Sequence, residues 1–325
     1  MNRITSNINL IVNELRNGNV VGLPTETVYG LAADATNNLG VEKIFKIKNR
    51  PFNHPLIIHV LSDWDLTRWV ERTPAYVKKL IKIFWPGPLT LVLKSNEVSN
   101  ISPLATATQA TIAVRSPDHP LAIDVLDRLN RPVVAPSANP FGKISPTEAQ
   151  HVMQDFSEYS FPILEGGNCN IGIESTILYC IEENECSILR HGSITQSEIQ
   201  KYCNVSEPEK ISSIRVSGNL KSHYQPQKKL FYFYPKDVPL IKSIIHNFEK
   251  YYVLCFSLLF EKKNINYLFS SDPKKATTDF YGQLRKADQS DKNIILIELP
   301  PETPEWNGLS DKIIKAGISL YPQSR

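Results

Sequence analysis

Methionine is scarce in this chain of 325 residues, with two, and cysteine nearly so, with five, an odd number in which no two stand as Cys-x-x-Cys. That pattern argues against a disulfide framework and a thiolate zinc site; it fits reduced thiols, so a cytoplasmic location is expected. Charge of one sign is lacking too: 36 Lys and Arg against 33 Asp and Glu leave +3, which neither demands nor excludes a polyanionic partner. The longest apolar run, YYVLCFSLLF at 251–260, is too short to span a bilayer, and MNRITSNINLIVNELRNGN has no uninterrupted apolar stretch of signal-peptide type, so no membrane role is expected. Also absent are Gly-x-x-x-x-Gly-Lys-Ser/Thr, Gly-x-Gly-x-x-Gly after a strand, His-Glu-x-x-His and Gly-x-Ser-x-Gly. Any nucleotide must be held by another device, and no metal site built from protein side chains is anticipated.

What is present reads as a folded protein of two domains, with 42% hydrophobic and 21% charged residues. Ile4, Ile8, Ile11, Val12 and Leu15 recur at helical spacing and stop at Asn17-Gly18-Asn19. Val41, Ile44, Phe45 and Lys48 mark a second helix over 39–49, and further helices are read over 74–84, over 119–130 and from near Thr147. Strands are read in VVGL (20–23), LIIHVLS (56–62), LTLVL (89–93), TIAVR (111–115), PVVAPSAN (132–139), 161–165, 175–181 and 186–190. This alternation predicts an α/β domain over 1–205 around a mixed sheet. Residues 206–229 are aperiodic and rich in Ser, Gly, Pro and Lys, the composition of a linker. Over 230–325 the strand patterns LFYFYP, YYVLCFSLLF and NIILIELP, with helical patterns at 278–288 and 309–317, predict a smaller α/β domain.

Four strands of the first domain open into polar motifs: VVGL into PTET, TIAV into RSPDHP, VVAP into SAN, and SIL into RHG. Strand ends and their loops are where α/β sheets gather ligands, although each motif alone reads equally well as a surface turn. Lys46, Lys48 and Arg50 close the second helix, where the helix dipole and solvation would explain them; Arg with Lys also supplies the forked donors and point charge that polyphosphate recognition uses. His59, inside a strand, reads as a hydrogen-bonded core histidine. Ser137 and Asn139 sit in a Pro-bounded turn, Ser145 and Thr147 where the next helix begins, with Thr147 a plausible cap, and Glu174, Ser175 and Thr176 could be a polar cluster on an edge strand.

Taken in order, PTETVYGLAADA, KNRPFNHPLIIHV, WPGPLT, TIAVRSPDHP, APSAN followed by SPT, GIEST and LR-x-G resemble the YrdC-like family in its longer, two-domain form, and HYQP resembles that form's interdomain signature. The resemblance implies a YrdC-like twisted mixed sheet with flanking helices and a small Rossmann-like C-terminal domain. It implies synthesis of L-threonylcarbamoyladenylate and pyrophosphate from L-threonine, bicarbonate or CO2, and ATP with Mg2+. The product would serve proteins that transfer threonylcarbamoyl to adenosine in ANN-decoding tRNAs, with at most a weak contact to tRNA itself. Carried over by position, Thr27, His59, Arg115, Ser137 and Ser175 would bind threonine. Arg50, His54, Thr111, Asn139, Ser145, Thr147, Arg190 and Tyr224 would bind the nucleotide, and Lys48, Arg50 and Arg190 would stabilise the triphosphate. His54 and His191 depart from the family pattern, as does SGNLKSHYQP, which is expected to fold across the cleft as a lid. An RNA-binding module without adenylate synthesis is the alternative.

Overall fold

The computed structural model describes residues 3–206, 215–218, 222–239, 241, 250–258 and 265–320. The chain divides into two compact units, Met1–Phe141 with Ser145–Asn219 and Gly142–Ile144 with Leu220–Arg325. Of the linker, 215–218 belong to the first unit and 222–228 to the second, while 207–214 and 219–221 lie outside the described residues.

The first unit opens with β1 (Ile4–Thr5), α1 (Ile8–Arg16), β2 (Val21–Leu23), β3 (Gly30–Asp34), α2 (Asn38–Lys48) and β4 (Ile57–His59). It continues through α3 (Ala75–Phe84), β5 (Leu89–Lys94), α4 (Pro103–Thr106), β6 (Thr111–Arg115), α5 (Pro120–Leu129), β7 (Val133–Val134), α6 (Ala149–Asp155) and β8 (Ile163–Leu164). β9 (Thr176–Tyr179), β10 (Glu185–Arg190), α7 (Gln196–Ile199) and β11 (Asn204–Ser206) complete it. Ile4, read as helical, instead pairs with Ile163 in β1, because the Asn7 side chain caps α1 only from Ile8 onward. β3 was not foreseen; it pairs antiparallel with both β2 and β7.

Among the described residues the strands form one mixed sheet in the order β1-β8-β2-β3-β7-β4-β6-β5-β9-β10-β11. One face carries the main core, where Val41, Ile44 and Phe45 of α2, Val77 and Leu80 of α3 and Val152 of α6 meet Ile58, Leu91, Val114 and Leu178. On the other face, α1 and α5 bring Ile11, Val12, Leu15, Val125 and Leu126 against Val21, Leu23, Ala32 and Val133. Strand alternation places Ile57, Val92 and Ile177 on that second face as well, where they form a separate small cluster with Leu189 and Val216.

The second unit contains β12 (Lys229–Phe233), β13 (Tyr251–Cys255), β14 (Tyr267–Leu268), α8 (Pro273–Gln289), β15 (Ile294–Glu298), α9 (Asn307–Ala316) and β16 (Ile318–Ser319). Among the described residues its strands are all parallel, ordered β14-β13-β15-β12-β16. Parallel strands require crossovers and are buried on both faces, which accounts for the near-continuous apolar reading of NIILIELP. No described helix in either unit is long and apolar enough to cross a membrane.

Candidate functional site

The small cluster on the second face lies beside a row of polar side chains that crosses five neighbouring strands. His59 ends β4 and is the register partner of Arg115 at the end of β6. Thr90 of β5 follows, one position beyond the Leu91–Val114 pair. Ser175, at the start of β9, shares a 2.7 Å hydroxyl bond with Thr90, and Arg190 at the end of β10 donates from Nη2 to Ser175 Oγ and from Nε to Ser175 O, both at 3.0 Å. Arg190 reaches this face because of a bulge: Ile188 pairs with Leu178, but Arg190 pairs with Ile177, so Leu189 is an extra residue. Without it Arg190 would share the core-facing side of Ile188.

The PTET turn supplies one end of the row. Thr25 Oγ1 donates to Val28 O at 2.7 Å, folding the turn on itself and holding Thr27 Oγ1 at 2.9 Å. Arg115 donates from Nη1 to Thr27 Oγ1 at 2.9 Å, from Nε to Gly87 O at 3.2 Å, and from Nη2 to Glu26 Oε1 in a buried ion pair. Glu26 was read only as part of the PTET motif, with no role of its own, and Thr90 was not singled out in the sequence. Thr90 was accessible to reasoning, because Leu89, Leu91 and Leu93 alternate with it into the core. His59 is buried, as the reading of a core histidine expects, and a backbone hydrogen bond with Ile57 acts on it, while its Nδ1 has no hydrogen-bond partner among the described residues. Burial, then the charge of Arg115, push its pKa down to about 3, so it is neutral throughout the physiological range.

The cations after α2 separate into two kinds. Lys46 is exposed and pairs with Glu42 at 2.7 Å, as the solvated reading expects. Lys48 is buried on the stripe of Val41, Ile44 and Phe45, and its Nζ donates to Ser137 O and Asn139 O at 2.5 Å each. Burial, then Arg50, hold its pKa well below the ordinary lysine range. Asn49, the C-cap, takes a left-handed φ of 51° and turns the chain so that Arg50 is also buried, its Nε donating to His54 O and its Nη2 to Pro55 O. Burial followed by the charge of Arg190 brings its pKa to about 9, which places Arg50 within electrostatic reach of the polar row. His54 packs edge-on against Phe141, its pKa lowered by burial, then by Arg50 and Arg215.

Thr111 begins β6 on the face of Ala113 and Arg115, about 13 Å from Arg115 by strand rise. Ser145 Oγ donates to Glu174 Oε1 at 2.5 Å and Ser175 joins the polar row, whereas Thr176 turns to the core face and donates to Ile194 O at 2.8 Å; all three are buried, and β9 lies between β5 and β10 and is no edge. Thr147 is not a cap: α6 starts at Ala149 with Glu148 at its N-cap, and the Thr147 N–H donates to His151 Nδ1 at 3.3 Å. The segment 215–218 lies on the first unit, with Val216 in the small cluster and Ser217 O accepting from Arg190 Nη1 at 3.0 Å. Tyr224 belongs to the second unit, where it packs against Tyr281 and under the Lys312 ammonium. Among the described residues no group of three His, Cys, Asp or Glu could hold a metal ion.

Fold and site together define an α/β protein that gathers buried polar side chains at the strand ends of a mixed sheet. A family model described as "Telomere recombination" (Sua5/YciO/YrdC) matches residues 13–192, and that of the threonylcarbamoyl-AMP synthase C-terminal domain matches 194–317. The threonylcarbamoyl-AMP synthase of Bacillus subtilis is 34% identical over 315 residues, 93% of this chain and 90% of that protein. That of Pyrococcus abyssi is 38% identical over 222 residues, 66% of this chain and 64% of the relative. The crystal structure of P. abyssi Sua5 complexed with L-threonine superposes with a TM-score of 0.86 at 31% identity, covering 97% of this chain and 96% of that one. The chain belongs to the two-domain threonylcarbamoyl-AMP synthase family.

Proposed function

We infer that this protein makes L-threonylcarbamoyladenylate from L-threonine, bicarbonate or CO2, and ATP, releasing pyrophosphate, for N6-threonylcarbamoyladenosine formation in ANN-decoding tRNAs. The observation that carries the reading is the polar row His59–Arg115–Thr90–Ser175–Arg190, joined at one end to the PTET turn. Buried side chains aligned by register in this way, with Thr90, Ser175 and Arg190 bonded in turn and Arg115 bonded to Thr27, form the floor of a small-molecule site. A surface that tracks an RNA backbone would instead present solvated cations, which disfavours the RNA-binding alternative.

Arg115, with Thr27, His59, Ser137 and Ser175, takes L-threonine. Arg115 has five N–H donors and spends three on Glu26, Thr27 and Gly87, leaving one on each terminal nitrogen for the substrate carboxylate. The nucleotide falls to Arg50, Thr111, Asn139, Thr147 and Arg190, with His54 and Ser145 as further contacts. The threonine amine attacks CO2, losing a proton and becoming a carbamate; a carbamate oxygen attacks the α-phosphorus as pyrophosphate leaves. Such a transfer needs alignment and charge neutralisation more than acid–base chemistry. Lys48, Arg50 and Arg190 each donate to backbone carbonyls, so they are oriented before a triphosphate arrives. This cationic donor set fits phosphate oxygens, and Mg2+ would come bound to the nucleotide, adding neutralising charge there.

Pyrophosphate release with ATP and bicarbonate, compared for threonine, serine and valine, tests the reading. Turnover with threonine that exceeds valine by about 10⁴-fold is expected if a buried group bonds the side-chain hydroxyl. Absence of threonine-dependent release from folded protein overturns it.

A further inference from the structure

We propose that Glu26 is a positioning residue that makes the amino-acid site selective for a zwitterion, acting through Arg115. The inference rests on the reading above that threonine sits at Arg115. Glu26 and Arg115 are 3% and 4% exposed. The guanidinium is held on all three nitrogens by acceptors from two separate segments, Glu26 Oε1 and Thr27 Oγ1 of the PTET turn and Gly87 O. With those bonds in place the plane of the fork is fixed, and only one N–H on each terminal nitrogen remains to meet a carboxylate.

A second observation separates this pair from an ordinary structural ion pair. Glu26 Oε2 is buried and has no hydrogen-bond partner among the described residues. Removing Glu26 alone would leave Arg115 buried without its counter-charge, so the pair is costly to break from one side, yet the unpartnered Oε2 satisfies no donor of the fold. What the charge does supply is balance. Glu26 cancels Arg115, and burial with the charge of Arg115 keeps His59 neutral, so this end of the site carries no net charge. An amino acid, whose ammonium and carboxylate also sum to zero, suits such a site. A 2-hydroxy acid of the same shape, a bare anion, suits it less. Removing the negative charge of Glu26 reverses that preference while leaving the space nearly unchanged.

The test compares the wild-type chain with Glu26→Gln and Glu26→Asp for the KM of threonine, the KM of ATP and kcat, with 2,3-dihydroxybutanoate as the competing anionic analogue of threonine. Glu26→Gln is expected to raise the KM of threonine by about tenfold, to leave the KM of ATP unchanged, and to tighten inhibition by the analogue relative to threonine. Glu26→Asp keeps the charge but shortens the reach; it should raise the KM of threonine without altering the preference for threonine over the analogue. Loss of stability alone would move neither ratio. The proposal is overturned if folded Glu26→Gln keeps both the threonine KM and the analogue preference of the wild type, or raises both KM values equally. Should Glu26→Gln fail to fold, a Glu26→Asp variant with unchanged threonine KM overturns it instead. Calorimetric titration of threonine and the analogue reads the preference without turnover, so an inactive wild type would sink the functional reading and still leave this inference decided.

Discussion

Gly192, the last residue of LR-x-G, lies against the backbone that presents Ser175. A Cβ there would sit 2.4 Å from Thr176 N, 2.6 Å from Glu174 O and 2.6 Å from Ser175 C. Comfortable contacts between such atoms are about 3.5 Å, so Gly192→Ala forces a displacement of about 1 Å, and the neighbours are main chain that cannot swing aside. The strain should cost about 1–3 kcal/mol of stability. The larger consequence is functional. Arg190, two residues away, holds Ser175 through both Oγ and the carbonyl, so the shift misaligns two members of the row together. A misplacement of that size commonly lowers turnover by about 10²-fold. Threonine-dependent pyrophosphate release and urea unfolding, run on the same preparations, provide the check. A Gly192→Ala protein with wild-type kcat/KM and an unmoved unfolding midpoint would refute the close approach on which the argument stands.

Gly282→Ala should have the opposite sign: Gly282 lies inside α8 with nothing within 4 Å of its added Cβ, so alanine should stabilise the second unit by ~0.5–1 kcal/mol, seen as slower amide exchange in α8. Lys48→Met strips the ammonium from Asn139 O and from Ser137 O, the latter keeping the Asn139 N–H at 3.0 Å, and loss of a charged donor inside the protein costs about 1–3 kcal/mol. We expect a lower melting temperature together with a raised ATP KM; an unaltered ATP KM would separate Lys48 from the nucleotide. For His59 the folded pKa of about 3 lies below the ordinary 6.5, so between those values the unfolded chain binds a proton that the folded one does not. Stability from this group is complete above about pH 6.5 and falls on acidification by up to ~1.4 kcal/mol per pH unit. His59→Gln should therefore show a shallower decline in urea midpoint between about pH 7 and about pH 5, and parallel curves would contradict the buried, neutral imidazole.

The sequence was most legible where one period ran long enough to be read. The stripe Val41, Ile44, Phe45, Lys48 already placed Lys48 on the buried side of α2, although its neighbour Lys46 invited the solvated reading for both. β3 was hidden because GLAAD has two alanines and no β-branched residue; its pairing with β2 and β7, rather than propensity, makes it a strand. β11, β14 and β16 have only two or three residues, too few to show alternation. The Glu26–Arg115 pair joins positions 89 residues apart, and no local pattern could announce it. The edge reading of Glu174–Thr176 failed for a related reason: strand order in a mixed sheet is a tertiary property, and the chain places β9 beside β5 by a long connection.

Register explains why so many distant residues can act as one site. A strand pairing fixes both the height of a side chain and the face on which it emerges, so His59, Arg115 and Thr90 are aligned by the same ladder bonds that hold the core. The alignment would end at β9 if β10 continued regularly, because Arg190 would then follow Ile188 toward the apolar side. The extra residue Leu189 corrects the phase, and Gly192 lets the chain turn back against Glu174–Thr176 without displacing them. These two irregularities are local departures from sheet geometry, yet between them they put a guanidinium on Ser175 and within electrostatic reach of Arg50. A reaction that depends on aligning a carbamate oxygen with an α-phosphorus gains from such a mount, since groups fixed by a sheet need little reordering when charge develops. The stiffness of the sheet is thus part of the chemistry, and the departures from its regularity mark where that stiffness is turned toward the ligand.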